Sequence, residues 1–147
     1  MIKTFKGKIS SYTSGNTGKL RIRLGTNDGK TGYFIKKLQA LGIDLTGREQ
    51  ESVLQVFSVD PGTPSGVVDF DNPTLLAALF YEQVASTSYF GGQAIIIDNK
   101  KINQDIFITH DEAKSDHDVN FYLELEQIKL TQDEATVATV RDMRGRE

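Results

Sequence analysis

NPTLLAALFYEQVASTSYFGG, residues 72–92, is the stretch on which the interpretation of the fold depends. The side chain of Asn72 can accept hydrogen bonds from the first free backbone N–H groups of a helix. Pro73 suits the first helical position, because the N–H that it lacks would have no partner there. Leucines and a phenylalanine then recur at steps of three and four, and a Gly-Gly pair supplies a stop signal. The pattern predicts a long helix over about residues 73–90.

Composition indicates a folded, water-exposed protein. Of its 147 residues, 38% are hydrophobic and 25% are charged, which is typical of globular domains. We find no run of 18 apolar residues and no apolar signal core at the N-terminus, so we expect neither membrane insertion nor secretion. Cysteine is absent, which excludes disulfides and thiolate metal ligands. We expect one domain over residues 1–147, made in the cytoplasm of its host.

Charge is distributed unevenly along the chain. The net charge is −3, yet residues 1–70 carry ten Lys and Arg against six Asp and Glu, a net +4, and residues 71–147 carry seven against fourteen, a net −7. A basic half beside an acidic half is consistent with head-to-tail self-association, with a nucleic-acid surface on the first half, or with two solvated surfaces.

Alternating apolar residues predict several strands outside the central stretch. We expect residues 2–12 and 20–24 to form a hairpin, residues 51–59 and 94–97 to be apolar strands, and residues 119–130 to be a long strand with a bulge. Residues 33–41 instead favour a short helix. The Pro- and Gly-rich segment 60–66 marks a possible internal boundary.

These elements predict an α+β, mainly β protein. Its core is an antiparallel split β-barrel or sandwich, flanked by the long helix at about 73–90 and a short one at about 33–41. Within the single domain, a subdivision is possible into a β-barrel-like half, a helix plus β-hairpin half and a tail arm, at residues 1–60, 67–130 and 131–147.

Catalytic signatures are missing. The chain has no cysteine and no Gly-x-Ser-x-Gly motif, and its two histidines, His110 and His117, lie seven residues apart. SGNTGKL at residues 14–20 lacks the spacing of a phosphate loop. The acidic cluster around the histidines matches no metal-binding motif, so a solvated loop is favoured over a metal site. We therefore expect no enzyme activity, no metal and no cofactor.

A second hypothesis is single-stranded nucleic-acid binding. Residues 1–60 resemble an OB or cold-shock-like barrel in the order of their strands. Cations and aromatic side chains that could contact phosphates and stack on bases are Lys19, Arg21, Arg23, Tyr33, Phe34, Lys36 and Lys37. The aromatic strand motifs of cold-shock proteins are replaced here by Leu20-Arg21-Ile22-Arg23.

The second half is similar to the carboxyl-terminal part of phage tail proteins of the distal-tail, tail-tube or baseplate type. The similarity lies in an order of segments: a long helix, a Gly-Gly exit, the strand AIII, a turn DNKK, the strand INQDIFITHDE, a polar loop, and VNFYLELEQIKL before a Thr/Val-rich tail. It covers about residues 72–140.

This resemblance implies a non-enzymatic virion protein. Such proteins form rings, commonly hexameric, around the channel through which DNA passes. The implied partners are therefore copies of the chain, other tail or baseplate proteins, and DNA that passes through the channel without specific binding. No membrane is implied. Residues expected at the contacts between copies are Tyr81, Glu82, Ser86, Tyr122, Glu124, Glu126, Arg141 and Arg144. Acidic residues expected to face the channel are Asp111, Glu112, Asp116 and Asp118.

Overall fold

Two antiparallel β-sheets form the body of the protein in the computed structural model. The structure describes residues 1–13, 15–26, 29–44, 49–84, 89–113 and 117–144, with the backbone alone at 84, 89–91 and 140–144. The elements in chain order are β1 Ile2–Ile9, β2 Lys19–Ile22, β3 Thr31–Gly42, β4 Gln50–Phe57, β5 Leu75–Val84, β6 Tyr89–Ile97, β7 Ile106–Glu112, β8 Val119–Lys129 and α1 Gln132–Arg144.

Each sheet draws strands from both ends of the chain. The smaller sheet has the order β1-β8-β3 and the larger one β2-β7-β4-β5-β6. Side chains from the two inner faces meet in one core, whose most deeply buried members include Leu54, Leu79, Ile108, Leu123 and Leu125. The predicted mainly β class is therefore correct.

The predicted long helix over residues 73–90 is wrong. Residues Leu75–Val84 form strand β5, and strand β6 begins at Tyr89. Leu79, Tyr81 and Gln83 are buried while Phe80 and Glu82 are exposed, which is the period of two of a strand. Strands β4 and β6 pair with the two sides of β5, so backbone pairing and burial outweigh the helix propensity of its Leu and Ala residues.

The residues that suggested the start and the end of a helix have structural roles, but at the two ends of a pair of strands. Asn72 Oδ1 accepts hydrogen bonds from the backbone N–H of Thr74 at 2.9 Å and from its hydroxyl at 2.7 Å, so the expected helix cap closes a turn. The Gly-Gly pair lies where the β5–β6 register shifts, and Gly92 has φ +154°, which residues with a side chain rarely adopt.

The predicted short helix over residues 33–41 is also wrong, because this stretch belongs to β3. Tyr33 and Ile35 are buried, and after a bulge at Lys36 the buried positions resume at Leu38 and Ala40. The extra residue changes the parity of the alternation. Apolar residues are thereby brought to the three- and four-residue spacings that suggest a helix.

Strand pairing is more long-range than the sequence suggests. The expected hairpin of residues 2–12 with 20–24 does not form, since β1 pairs with β8 and β2 pairs with β7. The predicted strand over residues 119–130 is confirmed as β8, which lies between β1 and β3. The bulge expected in β8 lies instead in its partner β3.

Helix α1 packs on the protein's own surface. The sequence pattern did not predict it, but Thr131 caps its first turn by accepting the backbone N–H of Glu134 at 3.1 Å. Asn103 is fully buried and its Nδ2 donates to the carbonyl oxygens of Gly29 and Ala135 and to the hydroxyl of Thr139. One side chain therefore links the helix to the loops beneath it.

We expect Asn103→Ala to loosen α1. The substitution removes a buried donor from the Gly29 carbonyl and the Thr139 hydroxyl, while the Ala135 carbonyl keeps the Thr139 hydroxyl as a donor, and we expect the free energy of unfolding to fall by about 1–3 kcal/mol. Lys101→Ala is the control, because it removes the partly exposed ion pair with Glu134 of the same helix, and pairs of this kind contribute little to stability. Urea unfolding and amide exchange of α1 measure the effects. Equal losses in the two variants would contradict this role of Asn103.

Candidate functional surfaces

The residues expected between copies lie on two different sheets. Tyr81 is buried; its hydroxyl accepts the backbone N–H of Gly42 at 3.0 Å and donates to Gln83 Oε1 at 3.1 Å. Glu82, its neighbour on β5, is exposed. Tyr122, Glu124 and Glu126 line the outer face of β8 in the smaller sheet. Ser86 lies outside the described residues, as do the side chains of Arg141 and Arg144.

The expected channel-facing carboxylates also differ in their surroundings. Asp111 and Asp118 are partly exposed. Glu112 is buried and its Oε1 accepts the backbone N–H of Glu51 at 2.9 Å. Asp116 lies outside the described residues. No group of three or more His, Asp and Glu side chains that could hold a metal ion occurs in the part of the chain that the structure describes.

The candidate nucleic-acid residues are divided between the sheets, with Lys19 and Arg21 on β2 and Tyr33, Phe34, Lys36 and Lys37 on β3. Three of the cations are paired with carboxylates: Lys19 with Asp60 at 2.7 Å, Arg21 with Asp105, and Lys36 with Glu126 at 2.9 Å. The pairing with Lys19 lowers the pKa of Asp60. Arg23 is exposed, whereas Tyr33 is buried and cannot stack on a base. The candidate residues therefore do not share one surface, although on the smaller sheet Lys36 Nζ lies 5.9 Å from the centre of the Phe34 ring and Lys37 Nζ lies 6.0 Å from that of Tyr122.

A buried serine–histidine pair was not foreseen from the sequence. His110 Nε2 lies 2.8 Å from Ser52 Oγ, and Nδ1 lies 3.0 Å from the carbonyl oxygen of Ile9. Because a carbonyl can only accept, Nδ1 carries the proton and Nε2 accepts from the serine hydroxyl. Fifty-eight residues separate the two partners, so no local motif could reveal them.

This pair has the geometry of a nucleophile and its base, but it lacks access to a substrate. Ser52 is 2% exposed and His110 is 0% exposed. Burial lowers the pKa of His110, against smaller opposing effects of the Ile9 carbonyl and the carboxylates of Glu112 and Asp111. The histidine therefore remains neutral and joins β7 and β4 of the larger sheet to the end of β1 in the smaller one.

A different surface stands out at the end of the larger sheet. Strand β6 is an edge strand, and its sequence YFGGQAIII contains no charged residue and no proline. Outward-facing apolar side chains surround it: Phe70 is 71% exposed, Phe80 50% and Ile96 58%. With Val68 and Ala94 they line a shallow groove of about 300 Å³. We call these five residues the outer apolar face.

Comparison with protein-family models and with curated protein sequences gives no match to the chain. Within the described ranges, no helix combines the length and apolarity needed to cross a lipid bilayer.

We expect acid to destabilise the protein through His110. In the unfolded chain this histidine binds a proton as the pH falls through about 6.5, whereas the buried side chain resists protonation. Stability that is present above pH 6.5 is therefore lost as the pH falls from there toward the lowered folded-state pKa. Urea unfolding at several pH values between 7.5 and 5 measures this loss.

His110→Gln is the matched variant, because an amide can donate and accept but does not titrate. It should unfold more easily at neutral pH and lose less additional stability between pH 7 and 5 than the natural protein. Parallel stability curves in this pH range would show that His110 does not cause the acid sensitivity.

Proposed function

We propose that the protein is a structural subunit of a phage tail or baseplate that assembles with copies of itself into a ring around the DNA channel. It performs no catalysis in this role. Its partners are neighbouring copies, other tail or baseplate proteins and DNA that passes without specific binding. It is made in the host cytoplasm and resides in the virion.

The outer apolar face is the observation that carries this proposal. Monomeric soluble proteins rarely expose contiguous apolar patches, and a patch of large apolar side chains indicates a contact with another molecule. Phe70, Phe80 and Ile96 expose at least half of their surface on one side of the larger sheet. A neighbouring subunit would remove these side chains from water.

Two further features support assembly over enzymatic activity. Ser52 and His110 are almost completely buried, so the nucleophile–base geometry that they form is better explained as part of the fold than as a reactive site. The proposal also draws on the resemblance of about residues 72–140 to tail proteins in the order of segments, in which the first segment is strand β5 and not the expected long helix. Partly exposed Asp111 and Asp118 are the described carboxylates available to a channel wall that repels DNA.

We expect the natural protein to form rings or stacked rings in negative-stain micrographs, and Phe80→Asp to prevent them. Phe80 is 50% exposed on the outer apolar face, so the change should leave the monomer folded while placing charge in the contact. Val137→Asp on α1 is the control, because it adds the same charge at an apolar side chain that is 67% exposed but lies outside the outer apolar face.

Mass photometry counts the subunits, and circular dichroism verifies folding. A natural protein that remains monomeric at high concentration and binds single-stranded DNA in a salt-sensitive manner would overturn the proposal in favour of nucleic-acid binding. Rings that form equally well with Phe80→Asp would show that another surface makes the contact.

A further inference from the structure

The free edge of β6 differs from the other three sheet edges in its charge. Sheet edges present unpaired N–H and C=O groups, and natural proteins commonly protect them with lysines. Basic side chains occur on each of the other edge strands β1, β2 and β3: Lys3, Lys6, Lys8, Lys19, Arg21, Lys36 and Lys37. Between Tyr89 and Ile97, β6 has none.

The register of β5 with β6 shows which backbone groups of β6 point outward. The N–H of Asp98 donates to the carbonyl of Leu76 at 2.8 Å, in the same register that pairs Ile96 with Ala78 and Ala94 with Phe80. Antiparallel ladders alternate between hydrogen-bonded and non-hydrogen-bonded pairs. Gln93, Ile95 and Ile97 therefore direct their N–H and C=O groups to the free edge.

These three positions can pair with the same three positions on the β6 strand of a second copy. In an antiparallel pair of two β6 strands related by a two-fold axis at Ile95, each Ile95 faces the other, and Gln93 faces Ile97 of the second copy. All three outward residues of both strands then exchange hydrogen bonds, about six in total. Because β6 contains no charged residue, two β6 strands would not repel each other electrostatically.

Side chains on both faces also fit this arrangement. Ile95 points toward the inner face, yet it is 37% exposed, whereas Gln93 on the same face reaches the smaller sheet, its Nε2 donating to the carbonyl oxygen of Ala40 at 2.8 Å. The second Ile95 would cover the exposed surface of the first. On the other face, Ala94 would lie opposite Ile96 of the second copy, which joins the two outer apolar faces into one surface.

We propose that β6 binds β6 of a second copy in antiparallel orientation about a two-fold axis at Ile95, joining two five-stranded sheets into one of ten strands. A two-fold contact is isologous and closes on itself, so it cannot by itself build a ring of six. It is a contact additional to any ring contact, and it does not depend on the phage-tail proposal.

Cysteine cross-linking tests the register directly, because the natural chain contains no cysteine. In the proposed dimer, Ile95→Cys brings two thiols onto a hydrogen-bonded pair with a Cα separation of about 5.5 Å, within the range of a disulfide. Ala94→Cys is the register control, because its two copies lie diagonally, about 7–8 Å apart. Under mild oxidation, we expect Ile95→Cys to give at least about tenfold more cross-linked dimer than Ala94→Cys.

A second pair of variants measures the contact without oxidation. Ile95→Lys should convert the dimer to a folded monomer, because two lysines would meet at the axis. Leu20→Lys on the edge strand β2 is the matched control, since Leu20 is 38% exposed and Ile95 37%. Light scattering after size exclusion gives the mass, and circular dichroism shows that both variants remain folded.

Each outcome decides between the proposals. Selective cross-linking through Ile95→Cys without rings in micrographs would support the β6 contact and oppose the ring. Rings with equal cross-linking at positions 94 and 95, or with unchanged assembly of Ile95→Lys, would overturn the β6 contact alone. A natural protein that is monomeric at all concentrations would overturn it as well.

Discussion

The pairing of early strands with late strands is the constraint on which the rest of the structure depends. Strand β8 binds β1 and β3, and β7 binds β2 and β4. Strands β4, β5 and β6 pair with their neighbours in sequence, but neither sheet can be completed until the last third of the chain is present. Such non-local pairing is typical of slowly folding β proteins, because long loops must close before contacts stabilise them.

His110 connects an early strand, a middle strand and a late strand through one buried side chain. It sits on β7, bonds Ser52 on β4 and reaches the carbonyl of Ile9 at the end of β1. Glu112, two residues further along β7, orders the start of β4 through the N–H of Glu51, and its own N–H donates to Ser11. Buried polar groups that satisfy one another in this way stabilise one arrangement of the sheets, since any other would leave them unpaired.

The sequence predicts strands better than it predicts their partners. Alternation is visible in residues 119–125 because this part of a central strand buries one face and leaves the other partly exposed. It is obscured in β3, where the bulge at Lys36 shifts the parity, and in β5, where leucines and alanines suit both a helix and a buried strand. Pairings such as β1 with β8 depend on contacts more than a hundred residues apart, which no local pattern encodes.

Candidate surfaces were harder to predict for a related reason. Almost all of the residues that the sequence suggests for contacts are charged or aromatic, and the structure ties several of them into internal pairs: Tyr81 with Gly42 and Gln83, Lys36 with Glu126, and Arg21 with Asp105. The β6 edge is instead distinguished by having no charged residue. A neutral strand carries no signal until the sheet order shows that it lies at an edge.

The stretch from Asn72 to Gly92 connects the fold to this surface. Its Leu- and Ala-rich composition, with Glu82 as the one charged residue, favours a helix when read locally, and the residues of β6 after its Gly-Gly pair carry no charge. Once long-range pairing makes it the end of a sheet, the same composition leaves apolar side chains and outward backbone groups without the lysines that protect the other edges. An edge of this kind either finds a partner or promotes aggregation. A defined partner strand is therefore the arrangement most compatible with a stable native protein.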